Sequence, residues 1–465
     1  MRAGFVWPWA RAVACGGLAL VAAGCAEPPV AGFRIGVSVD PAGFELVGAP
    51  LVFAPTANGF GINVALRFGD PLELRARVRD LAYPDWTEVA RPTSPAPDVA
   101  QWSVGGLAPG RGYEFEIRVA AATFADDGPH RLLHVGRALT TPVAGTPFSF
   151  AVITDTHIPP RSPLPDTTDV SAYIESTLAS VAADVRTVDP DFVMNLGDTL
   201  DFHEFGFNDP PPDSSWTRLG YLNYRRVLGD LLRRAAHFPV VGNWDGETGC
   251  FTTEEIDRSR SQRLLYLPGP DERTYAEGGS PTQDYYAFTW GDALFVVLNV
   301  MTYTPTCHRL GDDAGLPDDW TLGAGQLAWL ERTLAAATSK WRFLFIHHTV
   351  GGAAGDFENS AYGRGGGQAA NIGEQAIVHD MMRRYGVQIF FYGHDHVFTD
   401  MVVDGVHYTL PGSAGAPWKF VEGETGYQTY WPDSGFARVQ VAPDSVQVDF
   451  VPLGGGAPLF GYTLQ

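Results

Sequence analysis

The sequence predicts an α/β fold, with β-sheets flanked by helices, preceded by a small all-β sandwich domain. From residue 148 onward, short apolar strands alternate with helical stretches, which is the pattern of α/β domains. Before residue 145, β-type runs are separated by Gly, Pro and Asp clusters at short intervals, which indicates an antiparallel sandwich. The clearest single element is the run FSFAVI at 148–153, whose apolar residues are typical of a strand buried on both faces.

Length and composition favour two folded domains of unequal size. The chain has 465 residues, more than one ordinary hydrophobic core accommodates. Its 45% hydrophobic and 18% charged residues are typical of a folded globular protein. The formal net charge of −21 repels polyanions and argues against a nucleic-acid-binding surface. A small phosphorylated substrate stays compatible with this charge, because a bound metal ion dominates the local potential of its site.

Residues 1–25 have the pattern of an export signal and are excluded from the fold. Arg2 and Arg11 give a positive start, an apolar stretch follows, and small residues precede Cys25. This segment resembles a bacterial lipoprotein signal in which Cys25 is the lipidated residue. The alternative is an ordinary secretory signal cleaved near Ala23. Either signal exports the protein, and the first predicts a protein of the periplasm or cell surface that is held to the membrane only by its lipid.

Two cysteines remain after the signal, Cys250 and Cys307. In an exported protein such a pair predicts a disulfide, and the alternative is two buried free thiols. No Cys-x-x-Cys spacing suggests a thiol redox or zinc-ribbon site.

The first domain, predicted at 26–145, is a small β-sandwich. Its strands are expected at 34–39, 59–68, 72–78 and 113–120. The stretch LAPGRGYEFEIRVA at 107–120 resembles the entry of a fibronectin type III-like domain, where a tyrosine follows a Pro-Gly turn. No cluster of titratable residues lies in this domain, so a structural or positioning role is predicted.

The second domain is predicted at 146–465. Helices are expected at 169–188, 217–236, 324–337 and 373–385, where apolar residues recur at helical spacing. Strands are expected at 148–153, 191–196, 238–241, 341–346 and 388–392, with a hairpin at 285–300 and a strand-rich carboxyl end.

Five of these strands end in residues that offer oxygen or nitrogen ligands. The residues are Asp155, His157, Asp198, Asn243, His347, His394 and His396. Because ligands bind at the carboxyl edge of open α/β sheets, these side chains are expected to meet there. The set suits iron, manganese or zinc. Seven ligands suit two metals that share one carboxylate, the arrangement used for in-line phosphoryl displacement.

The order Asp-x-His, Gly-Asp-x-x-Asp, Gly-Asn-x-Asp, His and Gly-His-x-His resembles the calcineurin-like metallophosphoesterase superfamily. The match covers residues 146–415. With the β domain in front, the chain is most similar to the purple acid phosphatase branch. This resemblance implies two stacked sheets between helix layers (α-β-β-α) and a metal-dependent phosphatase or phosphodiesterase.

The resemblance also implies which residues hold which metal. One metal would be held by Asp155, His157, Asp198 and His396, and the other by Asp198, Asn243, His347 and His394. Asp198 would bridge the two. His347 is preferred to the neighbouring His348, because the family's ligand is the first residue after the strand. The implied nucleophile is a hydroxide between the metals that attacks phosphorus opposite the leaving oxygen.

Two positions depart from the family pattern. Asp201 stands where purple acid phosphatases carry a tyrosine ligand, so we expect no purple charge-transfer colour and a less ferric-selective site. Trp244 stands where the superfamily usually has a histidine that protonates the leaving group or contacts phosphate. An indole N–H donates a hydrogen bond but does not deliver a proton. Proton delivery is then expected from elsewhere, or it matters less.

Other polar residues near the predicted site are candidates for a direct role. Those for proton delivery are His203, His308 and His348, with Asp245 as an orienting carboxylate. His203 follows Asp198 by only five residues, so the predicted catalytic set is Asp198, Asn243, His203 and Asp245. Tyr224, Arg225 and Arg226 could reach phosphate oxygens, but an Arg pair on an amphipathic helix is expected on a solvated face. Arg364, in a glycine-rich stretch, is a candidate phosphate contact on the rim.

These observations predict an exported enzyme that hydrolyses phosphomonoesters or phosphodiesters with two transition metals. The alternative is a surface-anchored binding or adhesion protein that keeps the fold and the metals without efficient catalysis. The complete ligand set favours the enzyme, and Trp244 is the feature that favours the alternative.

Overall fold

The computed structural model describes residues 44–119, 132–160, 169–201, 213–304, 321–350, 374–417 and 427–465. The predicted signal at 1–25 and the expected strand at 34–39 lie outside these residues, and the domain boundary at 145 stays a prediction. Among the described helices, none is long and apolar enough to cross a membrane.

The first described part of the chain contains nine strands in two antiparallel sheets. They are Glu45–Leu46 (β1), Leu51–Thr56 (β2), Gly59–Phe68 (β3), Leu74–Asp80 (β4), Thr87–Glu88 (β5), Thr93–Ala96 (β6), Val99–Val104 (β7), Gly112–Val119 (β8) and Leu132–Leu139 (β9). One sheet has the order β1-β3-β7-β6, with β2 paired to β3, and the other has the order β5-β4-β8-β9. Ile62 of the first sheet and Phe115 of the second belong to one apolar core. The predicted all-β sandwich is therefore confirmed.

The second described part contains twelve strands and five helices. The strands are Phe148–Ile153 (β10), Phe192–Asn195 (β11), Ala236–Pro239 (β12), Tyr286–Trp290 (β13), Ala293–Val297 (β14), Trp341–Phe345 (β15), Ile389–Phe391 (β16), Phe398–Val403 (β17), Val406–Pro411 (β18), Gly435–Val441 (β19), Val446–Pro452 (β20) and Phe460–Leu464 (β21). The helices are Asp169–Thr187 (α1), Ser214–Leu228 (α2), Thr253–Tyr266 (α3), Gly323–Ala336 (α4) and Glu374–Arg384 (α5).

These strands form two six-stranded sheets that pack face to face. Their orders are β12-β11-β10-β19-β20-β21 and β13-β14-β15-β16-β18-β17. Aromatic rings fill the space between the sheets: Phe150 stacks on Phe192 with ring centroids 5.1 Å apart and meets Phe295 edge-on at 5.2 Å. The opposite face of β10, with Ile153, packs under α1 and α2, and α4 and α5 cover the second sheet. The predicted α-β-β-α layering is confirmed, and it explains why β10 is apolar on both faces.

Some element boundaries differ from the prediction. Helix α2 ends at Leu228 rather than near 236, because Gly229 takes a backbone conformation with a positive φ of 47°. Strand β12 consequently begins at Ala236, two residues before the predicted start. Helix α3 was not predicted, although it begins with a capping box in which Thr252 and Glu255 bond to each other's backbone N–H groups.

The prediction that Arg225 lies on a solvated helix face is wrong. Its side chain is 0% exposed, because α2 lies against the first sheet of the β-sandwich. The guanidinium donates to the backbone carbonyl of Asn63 at 2.8 Å, to that of Ala49 at 3.3 Å and to that of Tyr266 at 3.2 Å, and it also donates to Asn63 Oδ1. At Arg225, helix α2 therefore meets the sandwich instead of water, whereas Arg226 stays partly exposed.

The fold brings the ligand-bearing strand ends together. Strands β10, β11 and β12 run parallel in the first sheet, and β14, β15 and β16 run parallel in the second. The loops after β10 and β11 are also joined, since the backbone N–H of Asp155 donates to Gly197 O at 3.1 Å and that of His157 donates to Asp198 O at 2.8 Å. All five predicted strand ends thus open onto one edge of the molecule.

Candidate metal centre

Two clusters of possible metal ligands lie at this edge. Asp155, His157 and His396 offer ligand atoms that all lie within 4.8 Å of one another. A second cluster, Asp198, His347 and His394, meets the same limit. All but His396 are buried. The two clusters correspond to the two shells that the sequence predicts.

Asp198 lies between the clusters. Its Oδ2 is 3.3 Å from His157 Nε2 in the first cluster and 3.2 Å from His347 Nε2 in the second. Its Oδ1 accepts a hydrogen bond from the backbone N–H of Trp244 at 2.8 Å. One oxygen is thus held by the backbone, and the other faces both clusters.

Asn243 completes the second cluster. Its Oδ1 is 2.9 Å from His347 Nε2 and 3.0 Å from His394 Nδ1. With the amide reversed, its nitrogen would stand in this place and 3.3 Å from Asp198 Oδ2. The amide oxygen is a metal ligand and the amide nitrogen is not, so the orientation with Oδ1 toward the cluster is the one that suits a cation.

Backbone carbonyls fix the ring protons of two histidines. His347 Nδ1 is 3.0 Å from Leu196 O, and His396 Nδ1 is 2.8 Å from Pro417 O. A carbonyl oxygen only accepts hydrogen bonds, so each neutral ring carries its proton on Nδ1 and turns the lone pair of Nε2 toward the site. There, His347 Nε2 faces Asp198 Oδ2, and His396 Nε2 is 3.3 Å from Asp155 Oδ1. Lone pairs in this arrangement repel each other unless a proton or a metal ion lies between them.

His157 gives a further indication of the same kind. Among the described residues, its Nε2 is a buried atom without a hydrogen-bond partner, although two carboxylates are nearby. A buried ring nitrogen of this kind calls for an explanation. Coordination of a metal ion by the lone pair of His157 Nε2 is such an explanation. The donor set present therefore fits a pair of metal ions.

The electrostatics of the clusters favour positive charge. Burial alone would raise the pKa of Asp155 and of Asp198, but His396 beside the first and His347 beside the second lower both pKa values below the usual range. Burial lowers the pKa of His157, and the carboxylates of Asp155 and Asp198 more than reverse this, raising that pKa to about 10. Without a metal, the two carboxylates hold a proton on His157, and a metal ion would take the place of that positive charge.

The ligand loops have an unusual backbone. Of the nine described non-glycine residues with positive φ, five are predicted ligands: Asp155, His157, Asp198, His394 and His396. Each such residue costs on the order of 1–3 kcal/mol unless the surrounding structure holds it. This concentration of strain at the two clusters is typical of a functional site.

Neighbouring residues hold these loops in place. Asp245 Oδ1 accepts from the backbone N–H of Thr199 at 3.0 Å, and its Oδ2 accepts from that of Gly242 at 2.8 Å. Burial, aided by the charge of Asp198, raises the pKa of Asp245 to about 7. A Cβ at Gly242 would lie 2.0 Å from the backbone nitrogen of Asp198, so only glycine allows this approach. Asp245 therefore organises the loops through their backbones.

The remaining predicted residues fall into two groups. His203, His308 and Arg364 lie outside the described residues, so their roles stay predictions. His348 is buried beside His394, with ring centroids 5.1 Å apart, and its Nδ1 is 2.7 Å from Thr349 O.

The ring of Trp244 meets that of His157 edge-on, with ring centroids 5.6 Å apart. Cys250 is disulfide-bonded, while its predicted partner Cys307 lies outside the described residues.

The supports behind the ligands were not predicted from the sequence. The carbonyls of Leu196 and Pro417 orient two rings, and the amide of Asn195 bonds to both neighbours of Asp198. Backbone carbonyls carry no signal in residue identity. Asn195 did carry a signal in the sequence, since a polar residue at the end of an apolar strand needs buried hydrogen-bond partners.

Comparison with known proteins defines the class. The calcineurin-like phosphoesterase family model matches residues 148–398, which span more than half of the chain, so the chain belongs to this family. It is 22% identical over 290 residues to mouse tartrate-resistant acid phosphatase type 5, covering 59% of this chain and 79% of the relative. The family and this phosphatase relative make the chain a metal-dependent phosphoric ester hydrolase, as the sequence predicted.

Solved structures share the fold. A purple acid phosphatase from yellow lupin seeds superimposes with a TM-score of 0.63 at 12% identity, covering 90% of this chain and 74% of the lupin chain. The structure of PhoD gives a TM-score of 0.60 at 14% identity, covering 90% of this chain and 88% of that chain. The predicted likeness to the purple acid phosphatase branch is confirmed at the level of the fold.

Proposed function

We propose that this protein is an exported binuclear metallophosphoesterase that hydrolyses phosphomonoesters or phosphodiesters. The observation that carries the proposal is the position of Asp198, whose Oδ2 faces a histidine of each ligand cluster at 3.2 and 3.3 Å. A carboxylate oxygen shared in this way is the expected bridge of a two-metal site.

Each residue has a defined task in this proposal. One metal would be held by Asp155, His157, Asp198 and His396, and the other by Asp198, Asn243, His347 and His394. Iron, manganese and zinc suit these nitrogen and oxygen ligands. When bound, the pair supplies Lewis acidity, which lowers the pKa of water and stabilises negative charge on the phosphoryl oxygens. The backbone carbonyls of Leu196 and Pro417 keep the imidazole rings turned toward the metals.

Small phosphorylated molecules are the proposed substrates. The mouse relative is named an acid phosphatase, which supports phosphate esters as the class. The formal net charge of −21 disfavours long polyanions.

Export is proposed from the pattern of residues 1–25, with a lipid on Cys25. The disulfide at Cys250 supports an oxidising compartment. Mass spectrometry of the mature amino terminus tests this proposal. A lipid-modified Cys25 supports the anchor, whereas an unmodified terminus near Ala23 would replace it with ordinary secretion.

Metal removal and reloading test the catalytic proposal. Protein stripped with a chelator is expected to be inactive, and reloading with Mn²⁺, Zn²⁺ or iron should restore hydrolysis of p-nitrophenyl phosphate or bis-p-nitrophenyl phosphate, because the metal pair supplies the chemistry. Metal content and rate are measured on the same samples. Two bound metals per chain without hydrolysis of either ester would contradict the enzyme and leave the binding protein as the better explanation.

A further inference from the structure

The loop that carries Asp198 is strained and therefore needs support. Asp198 has φ of 48°, in the left-handed region, and Gly197 before it has φ of 98°. On one side, the loop is held by the N–H of Trp244 and the carboxylate of Asp245. A second set of contacts holds it from the opposite side.

The second set begins at Asn195, the last residue of β11. Its Oδ1 accepts from the backbone N–H of Gly197 at 3.3 Å, and its Nδ2 donates to Thr199 Oγ1 at 3.1 Å. One fully buried amide therefore forms hydrogen bonds to the residue before Asp198 and to the residue after it. Its orientation sets the loop, and so it sets the direction of the Asp198 carboxylate.

Tyr224 of helix α2 holds this amide. Asn195 Nδ2 donates to the Tyr224 hydroxyl at 2.9 Å, and the hydroxyl is also 2.9 Å from His237 Nε2. Burial lowers the pKa of His237 to about 3, so the imidazole is neutral and can accept the phenolic proton. Tyr224 itself is 0% exposed. The hydroxyl is thereby fixed between two buried partners.

The helix that carries Tyr224 is anchored in turn to the β-sandwich. Arg225, the next residue, bonds to the backbone carbonyls of Asn63 in β3 and of Ala49 just before β2. A continuous chain of buried hydrogen bonds and covalent neighbours thus leads from the sandwich, through α2 and Asn195, to the loop of Asp198.

We propose that Tyr224 and Asn195 are positioning residues for the bridging carboxylate of Asp198. This inference rests on the proposed two-metal function. Without the Tyr224 hydroxyl, the Asn195 NH₂ group keeps Thr199 Oγ1 as a partner but loses the contact that ties the amide to helix α2. The strained loop then relaxes, and Asp198 Oδ2 moves from its place between the two clusters. Supports behind metal ligands typically change metal affinity by 10–100-fold.

The test compares Tyr224→Phe with Tyr221→Phe. Both tyrosines lie on α2 and are buried, but the Tyr221 hydroxyl has no hydrogen-bond partner among the described residues. Calorimetric titration of the metal-free full chain with Mn²⁺ gives the affinities, and electron paramagnetic resonance reports the magnetic coupling of two bound Mn²⁺ ions. We expect Tyr224→Phe to weaken Mn²⁺ binding roughly tenfold and to alter the coupling. Tyr221→Phe should bind Mn²⁺ as the parent does.

Thr199 provides a second pair of variants in case Tyr224→Phe does not fold. Thr199→Val removes the hydroxyl that Asn195 holds and keeps the shape, whereas Thr199→Ser keeps the hydroxyl and loses a methyl group. Positioning predicts weaker Mn²⁺ binding for valine and parental binding for serine. A merely structural role predicts no such order, because serine leaves the larger gap in the packing.

The outcomes separate the two proposals. If the parent binds fewer than two Mn²⁺ ions, the two-metal function fails. If the parent binds two ions and both Tyr224→Phe and Thr199→Val bind them with parental affinity and coupling, the positioning role alone is overturned.

Discussion

Replacing Asp198 with asparagine is expected to lower kcat/KM for p-nitrophenyl phosphate by at least roughly a thousandfold, equivalent to about 4 kcal/mol of transition-state stabilisation. Both carboxylate oxygens are in use: Oδ1 accepts from the Trp244 N–H, and Oδ2 faces the two histidine nitrogens. An amide offers one oxygen only. If that oxygen stays with the metals, the NH₂ group meets the Trp244 N–H, and if it stays with Trp244, the bridge is lost.

Metal content and activity are measured together for this variant. Asp284→Asn is the matched control, because Asp284 is also a buried carboxylate but bonds to Asn299 at 2.9 Å and to Tyr303 at 3.0 Å, and among the described residues no hydrogen bond joins it to a predicted ligand. The control is expected to lower the thermal midpoint and to keep both metals. An Asp198→Asn protein that retains two metals and the parental rate would refute the bridging role.

The candidate site was predictable because each ligand can be recognised from the few residues around it in the sequence. Each ligand follows an apolar strand, and parallel strands end at the same edge of a sheet. The strand pattern therefore predicts that Asp155 lies near Asp198 and that His347 lies near His394, although each pair is far apart in the chain. The two pairs meet because the two sheets pack face to face. The choice of His347 over His348 agrees with the geometry, since His347 Nε2 faces Asp198 and His347, not His348, is in the cluster with Asp198 and His394.

What holds the ligands was not predictable in the same way. The left-handed backbone at Asp198 and His394 depends on hydrogen bonds that arrive from other strands and helices, and no spacing in the sequence encodes those partners. The end of α2 was missed because apolar periodicity continues past Gly229 while the backbone does not.

The same limit explains the wrong expectation for Arg225. Helical periodicity tells which face of α2 is polar, and polar faces usually meet water. At Arg225, that face meets backbone carbonyls of the β-sandwich. A residue pattern within one helix carries no information about such a partner, so the burial of Arg225 emerges only from the packing of the two parts.

Arg225→Met is expected to lower the free energy of unfolding by about 4 kcal/mol. Methionine fills much of the volume but donates no hydrogen bonds, so the amide oxygen of Asn63 and the carbonyls of Asn63, Ala49 and Tyr266 lose a shared, charged donor in a buried site. Burial lowers the pKa of Arg225 to about 9, so the guanidinium is charged at neutral pH. Urea unfolding measures the effect at a fixed Mn²⁺ concentration, since bound metal adds to stability.

Arg226→Met is the matched control, one residue further along the same helix. Its side chain is 27% exposed and pairs with Glu175, and a pair that water reaches contributes about 1 kcal/mol or less. Equal losses in the two variants would contradict the special role of Arg225. A larger loss at Arg225, accompanied by weaker Mn²⁺ binding, would show that the contact between the sandwich and α2 stabilises both the fold and the loop of Asp198. That coupling follows because Arg225 and Tyr224 are adjacent on one helix, and a shift of the helix moves both contacts together.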